Sequence, residues 1–299
     1  MPTNIILLII IIAIIVIAAL SFVIYKICKD KNKMLGGVKG KGHLTTLIKE
    51  CDINNDFTQL EFLDVSNIND LSNVFAECEN LLSLNLSMWD ISKVINMSYM
   101  FRNCKKMKKL ILTTWGNKIN RVKNINCMFY CCSNLENLDI SNWKAYNVKS
   151  MANMFDYCEN LKTLNISNLY APELTTISEI FSHCYNLEEL NISNWNIPNI
   201  KDMSQAFAHC GKLIKVDLSN WKTDKIDNMS YMFCDCGLLE YVNLSNLDIP
   251  NTNINEIFYG CSKLKNLCIF NWDIFKINPY NLEYYPSLNI IDILLFTLN

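Results

Sequence analysis

The chain has 299 residues, 27 basic against 29 acidic side chains and a formal net charge of −2. That balance argues against nucleic acid as a main partner, because binding phosphate calls for a clear basic excess. Apolar residues make up 51% of the chain, so a large core is available, and the question is how the sequence distributes it.

From Asn4 to Tyr25 no side chain is charged. At about 1.5 Å per residue the run spans roughly 30 Å, the thickness of a bilayer core. It predicts a single transmembrane anchor over residues 1–26. A secretory signal would have a shorter apolar region of roughly 7–15 residues. Lys26, Lys29, Lys31, Lys33, Lys39 and Lys41 follow, against one acid, Asp30. The positive-inside rule then places the rest of the chain on the cytosolic side. Residues 27–43 read as a flexible linker, since they hold Gly36, Gly37, Gly40 and Gly42, half of the eight glycines in the chain.

Beyond the linker the sequence repeats itself. Phenylalanines at 75, 101, 129, 155, 181, 207, 233 and 258 are separated by 26, 28, 26, 26, 26, 26 and 25 residues. Three residues after each comes a cysteine: Cys78, Cys104, Cys132, Cys158, Cys184, Cys210, Cys236 and Cys261. All six tryptophans (89, 115, 143, 195, 221 and 272) fall fourteen residues after the Phe. Leu169 and Leu247 fill that column in the other two units. Met97, Met100, Phe101 and Cys104 have the spacing of one helical face. Leu161, Leu164 and Ile166 have the alternation of a short strand with one buried side. Leu44, Leu47, Ile48 and Cys51 are expected to form an N-terminal cap ahead of a first strand at Leu60, Leu63 and Val65. Leu288, Ile291 and Ile293 are expected to close the other end, before an apolar tail over 294–299. The expected architecture is an α/β solenoid over residues 44–293, a right-handed coil with one short strand and one short helix per repeat.

Val148, Met151, Met154, Phe155, Cys158, Leu161, Leu164, Ser167 and Asn168 follow one another in a pattern that resembles the BspA-like leucine-rich repeat proteins. Asp139 and Trp143 supply the Asp and the aromatic of that pattern in the neighbouring unit. The resemblance implies a leucine-rich-repeat fold and a surface or interaction role rather than an activity.

The cysteine column is expected to pack inside the core as small apolar side chains, and free thiols in such numbers favour a reducing compartment. Cys127, Cys131 and Cys132, and Cys234 with Cys236, lack the C-x-x-C spacing of a zinc site. His183 and His209 hold equivalent positions beside Cys184 and Cys210, and are expected to stack on adjacent coils, facing outward. Two such imidazoles could hold a metal, but solvated surface histidines are the plainer expectation. With three histidines in all, no G-x-S-x-G and no phosphate-binding loop, no catalytic residue, cofactor, metal or small-molecule substrate is expected. Asn85, Asn96, Asn165, Asn191, Asn228 and Asn243 begin N-x-S sequons, and the repeat itself explains most of them as polar turn positions.

Between the buried strand positions the residues vary from unit to unit. Glu136, Lys162, Glu188, Glu189, Lys215, Glu240, Tyr241 and Lys265 are therefore the expected partner-binding strand face. The expected function is that of a membrane-anchored scaffold for an as yet unspecified protein partner. An outward-facing adhesin of the same fold is the alternative, and would predict glycosylated sequons and disulfides.

Overall fold

The computed structural model describes Ile15, Val16, Ala19 and Val23 and residues 37–192, 194–223, 226–247, 249 and 251–269. Those first four residues are helical and exposed. The rest of the anchor expected over Asn4–Tyr25, most of the linker, Trp272, the closing strand at Leu288, Ile291 and Ile293, and the tail lie outside the described residues. Among the described residues no helix is long and apolar enough to cross a membrane.

The repeats build a β-solenoid. Strands β1 (Ser83–Asn85), β2 (Lys109–Ile111), β3 (Asn137–Asp139), β4 (Thr163–Asn165) and β5 (Glu189–Leu190) form one parallel sheet. A second parallel sheet holds β6 (Lys215–Asp217), β7 (Tyr241–Asn243) and β8 (Asn266–Cys268). Each strand falls on the L-x-L part of its repeat, with the central Leu or Val buried in all but the two-residue β5. Pairing is in register from coil to coil, as in Leu138 with Leu164 and Val216 with Val242. A second ladder of single bridges continues through every coil, including the interval between the sheets: Asp70, Asn96, Asn124, Ser150, Thr176, Asp202, Asn228 and Asn253.

The helix expected in each repeat is not formed, and the class is a β-solenoid rather than α/β. The Phe-x-x-Cys segments are ribbons of overlapping turns. Around Phe155 the amides of Met151, Asn153, Phe155 and Tyr157 donate to the carbonyls of Thr176, Ser178, Ile180 and Ser182 on the next coil. The intervening amides of Met154, Asp156 and Cys158 donate three residues back. A helix needs every amide bonded four residues back, and here every second one is committed to the neighbouring coil. The alternation requires a left-handed residue two before and two after each Phe. All sixteen such positions have positive φ, from Asn73 and Glu77 to Glu256 and Gly260. Fifteen of them are not glycine, so the coil stacking outweighs a local cost of about 1 kcal/mol at each. Spacings of three and four are shared by helices and by this ribbon, which is why the pattern reads as helical.

Inside, each column of the repeat becomes a stack. The eight phenylalanines stack with centroids 5.0–5.8 Å apart. Each cysteine of the inward column from Cys104 to Cys261 donates its S–H to the carbonyl of the Phe on the preceding coil, at 3.0–3.2 Å. That bond gives the column a reason to be cysteine: it fills a small apolar site and also donates to a buried carbonyl. The described cysteines are free thiols. The Trp89, Trp115, Trp195 and Trp221 indoles likewise donate to the carbonyls of Leu60, Leu86, Ile166 and Ile192.

The N-terminal cap is a true helix, α1 (Lys41–Asn54), which buries Leu44, Ile48 and Cys51 against the first coil. The strand expected at Leu60, Leu63 and Val65 is a 3-10 turn over Thr58–Phe62 instead. With α1 in place of a preceding turn ribbon, no strand precedes β1 in its sheet among the described residues.

Candidate functional site: a charged strand face and a polar turn ribbon

The strand face is built by the alternation of β-structure, in which the residues flanking each buried position point outward. Register aligns Lys109, Asn137, Thr163 and Glu189 in one row, and Lys215, Tyr241 and Asn266 in another. Glu136, Lys162 and Glu188 stand one residue earlier on their coils. Lys162, Glu188, Glu189, Lys215 and Lys265 are exposed, while Glu136, Glu240 and Tyr241 are half-buried. A shallow groove crosses β2 to β5, lined by Lys108, Lys109, Glu136, Thr163, Glu189 and Asn191 among others. Part of the charge is paired within the face. Lys265 meets Glu240 at 3.0 Å, Lys212 meets Glu188 at 3.7 Å, and the Lys215 ammonium lies 4.6 Å from the Tyr241 ring centroid. Such exposed pairs contribute little to stability. The sequence-derived site residues thus lie on one continuous surface in two sheet segments.

The sequons belong to the frame of the coils, with Asn85 and Asn243 ending strands and Asn96 and Asn228 on the ladder of single bridges. Asn85, Asn96, Asn228 and Asn243 each accept the amide of the Ser two residues on. Asp90, Asp139, Asp202 and Asp217 do the same in their turns. Asn and Asp interchange there because both offer an Oδ1 acceptor. The Ser92 amide helps hold the Asp90 carboxyl below the usual carboxylate range.

A second polar surface, on the turn ribbons, was largely hidden in the sequence. A left-handed residue two after each Phe brings its side chain to the same side as that of the residue before it, in pairs whose first member is mostly buried. Coil by coil these pairs are Tyr130 with Cys131, Asp156 with Tyr157, Ser182 with His183, Ala208 with His209, and Cys234 with Asp235. The expected histidine stack forms, with His183 and His209 centroids 4.5 Å apart, and Tyr157 stacks on the other side of His183 at 3.9 Å. His183 Nδ1 lies 3.1 Å from Asp156 Oδ1 and 2.9 Å from Ser182 Oγ. Asp156 is buried, and its burial raises the carboxyl to about 7. Burial likewise lowers His183. Both shifts favour neutral partners, so the contact is a hydrogen bond more than an ion pair. Ser182 and Asp156 share the same nitrogen of His183, and Ser182 is fully buried. That arrangement does not activate the serine, because the base of a nucleophile must present its other nitrogen. Further along, His209 Nδ1 approaches Asp235 Oδ2 at 3.4 Å, and Cys234 Sγ lies 3.6 Å from the same oxygen. Aligning columns across repeats, rather than scanning for local spacing, was the available signal for this juxtaposition.

One family's sequence pattern matches residues 43–169 and 175–287, and its description reads Mycoplasma protein of unknown function, DUF285. The chain belongs to that DUF285 family. The match begins at the cap helix and runs through the repeats described above. No curated protein matches the sequence. Among solved structures, a leucine-rich repeat protein from Bacteroides ovatus is 19% identical over 69% of this chain and 55% of its own, with a TM-score of 0.42. A leucine rich cell surface protein from Faecalibacterium prausnitzii is 17% identical over 67% and 64%, with a TM-score of 0.33. TLR13, solved in complex with ssRNA13, is 17% identical over 84% and 30%, with a TM-score of 0.37. The chain therefore spans about half the length of the Bacteroides ovatus protein. Likenesses at these scores carry no argument here, and the fold rests on the ladders themselves.

Proposed function

We infer that this DUF285 chain is a membrane-anchored, non-catalytic scaffold of the BspA-like type, which binds a protein partner along its strand face. One observation carries the reading. Inward positions are nearly the same in every coil, as the Phe, Cys and Trp stacks require, whereas the in-register outward positions change charge from coil to coil. Core packing sets the first set and leaves the second open to specification by a partner. Among the described residues the side chains of Glu136, Lys162 and Glu189 form no ion pair, so they are available for one across an interface. The uncharged run Asn4–Tyr25 and the lysines after it support an anchor with the repeats on the cytosolic side.

The test uses the full-length chain in its native membrane. A photo-crosslinking side chain at Thr163 or Lys215 should yield one discrete adduct, and the same group at exposed Tyr146 should not. Reversing charge at Lys162 and Glu189 together should abolish the adduct. Equal crosslinking from all three positions would contradict the strand-face reading. Protease protection of sealed vesicles, read with a C-terminal tag, checks the orientation. Protected repeats that gain mass at Asn85 or Asn243 would overturn the cytosolic placement.

A further inference from the structure

We propose that His209, Cys234 and Asp235 form a binding site for a divalent ion of the zinc class on the turn-ribbon side of the solenoid. The site is independent of the strand face. One donor atom from each residue lies within 4.8 Å of the other two. Two of the three separations are more telling: 3.4 Å from His209 Nδ1 to Asp235 Oδ2, and 3.6 Å from Cys234 Sγ to Asp235 Oδ2. Zinc bond lengths of about 2.3 Å to sulfur, 2.0–2.1 Å to nitrogen and 2.0–2.2 Å to oxygen, at a tetrahedral angle, give edges of about 3.4 Å for N to O and about 3.6 Å for S to O. The two edges to Asp235 thus match such a tetrahedron, and the third, between His209 and Cys234, lies within 4.8 Å.

The backbone supplies this geometry. Asp235 has a φ of 55°, and the left-handed turn swings its carboxylate to the side of the Cys234 thiol. An extended backbone would point the two apart. The His209 amide donates to the Cys234 carbonyl at 2.7 Å, which fixes the two coils in register at the site. His183, stacked on His209, restrains the imidazole plane. Cys234 is buried, whereas Asp235 is exposed and His209 half-buried, so an ion can enter from solvent on the carboxylate side. The thiol now faces the carboxylate. On binding, the ion replaces the thiol proton, which leaves to solvent, and the thiolate becomes a ligand. A mixed N, S, O donor set suits zinc, and sulfur disfavours magnesium and calcium. Three protein ligands leave a fourth position for water or a donor from a partner.

Cobalt(II) titration of the full-length chain in detergent micelles tests the proposal. The wild type should show a thiolate-to-cobalt charge-transfer band and the strong visible bands of tetrahedral cobalt, saturating at one ion per chain and displaced by zinc. Cys234→Ser should remove the charge-transfer band, and zinc affinity should fall by more than the roughly 10–100-fold typical of losing an outer-sphere partner. Asp235→Asn, at an exposed side chain that leaves the core untouched, should weaken zinc at least about tenfold with unchanged thermal unfolding of the metal-free protein. Cys131→Ser, at a different ribbon position, should change nothing. A wild-type spectrum without the thiolate band, or a band that survives in both Cys234→Ser and Asp235→Asn, would overturn the site.

Discussion

Asp156 offers a direct reading of the turn ribbon's electrostatics through the substitution Asp156→Asn. The carboxyl is buried among Asn153, His183 and the stacked coils, and desolvation raises it from an ordinary 3.8 to about 7. Glu179 raises it further, while Asn153 and His209 oppose the shift. A carboxyl raised on folding binds its proton more tightly in the folded chain. Its contribution is therefore fully present below the unfolded value near 4 and is lost as pH rises through the folded value near 7. At about 1.36 kcal/mol per pH unit, falling off as the folded group itself titrates near pH 7, the loss between pH 5 and pH 7 is about 2 kcal/mol. Neutral asparagine keeps the shape and can donate to His183 Nδ1, so Asp156→Asn should match the wild type near pH 5. It should exceed the wild type by about 2–3 kcal/mol at pH 8. His183 acts in the opposite sense: its lowered value removes stability as pH falls below about 6.5. It does so in both proteins, and the paired comparison cancels it. Urea unfolding followed by tryptophan fluorescence at pH 5, 6, 7 and 8 gives the difference curve. Parallel curves for the two proteins across that range would refute the buried-neutral assignment of Asp156.

The tryptophan column provides an internal control. Trp115→Phe strands the Leu86 carbonyl and should cost about 1–2 kcal/mol more than Trp143→Phe, because the Trp143 indole N–H has no acceptor among the described residues; chemical denaturation of both variants decides it. At the left-handed positions, Gln205→Gly should stabilise by up to about 1 kcal/mol. Gly260→Ala should destabilise, since a Cβ there would press on the Asp235 side chain and backbone at a φ of 76°; thermal unfolding reads both. Among the described thiols, labelling at pH 8 should reach half-exposed Cys131 and Cys268 first. Burial pushes Cys78 and Cys261 up to about 12, so with the rest of the inward column they should react only on unfolding, which mass spectrometry of labelled peptides would show.

The repeat frame was legible because columns of identical side chains survive any error about local conformation. Phe, Cys and Trp positions, the strand at L-x-L and the outward histidines all follow from the register of one coil on the next. The helix did not follow, since Met97, Met100, Phe101 and Cys104 satisfy helical and ribbon periodicity alike, and what separates them is a left-handed φ at Tyr99 and Asn103. Only asparagine, aspartate and glycine among such residues signal that conformation. Tyr, Glu, His and Cys hide it, because the preference comes from coil-to-coil hydrogen bonds and not from the residue. The missing acceptor for Trp143 has a similar origin. The interval from Phe101 to Phe129 is two residues longer than its neighbours, and a 3-10 turn over Lys118–Arg121 takes up the insertion on the coil below.

The same geometry explains where this fold can carry chemistry. On the strand face, outward residues alternate with buried ones and neighbours on adjacent coils stand about 4.8 Å apart, so the face displays charges in rows. On the ribbon, each left-handed residue brings its side chain beside that of the residue before it, and stacking sets the next pair against them. Three side chains from two coils then meet at hydrogen-bond range, as Asp156, Ser182 and His183 do, or within 4.8 Å, as donors of His209, Cys234 and Asp235 do. Substitution at those columns leaves the Phe, Cys and Trp stacks untouched, so a ribbon site can be gained or lost coil by coil at little cost to the core. The strand face and the ribbon thus answer to different demands, and charge reversal at Lys162 should leave cobalt binding at Cys234 unchanged.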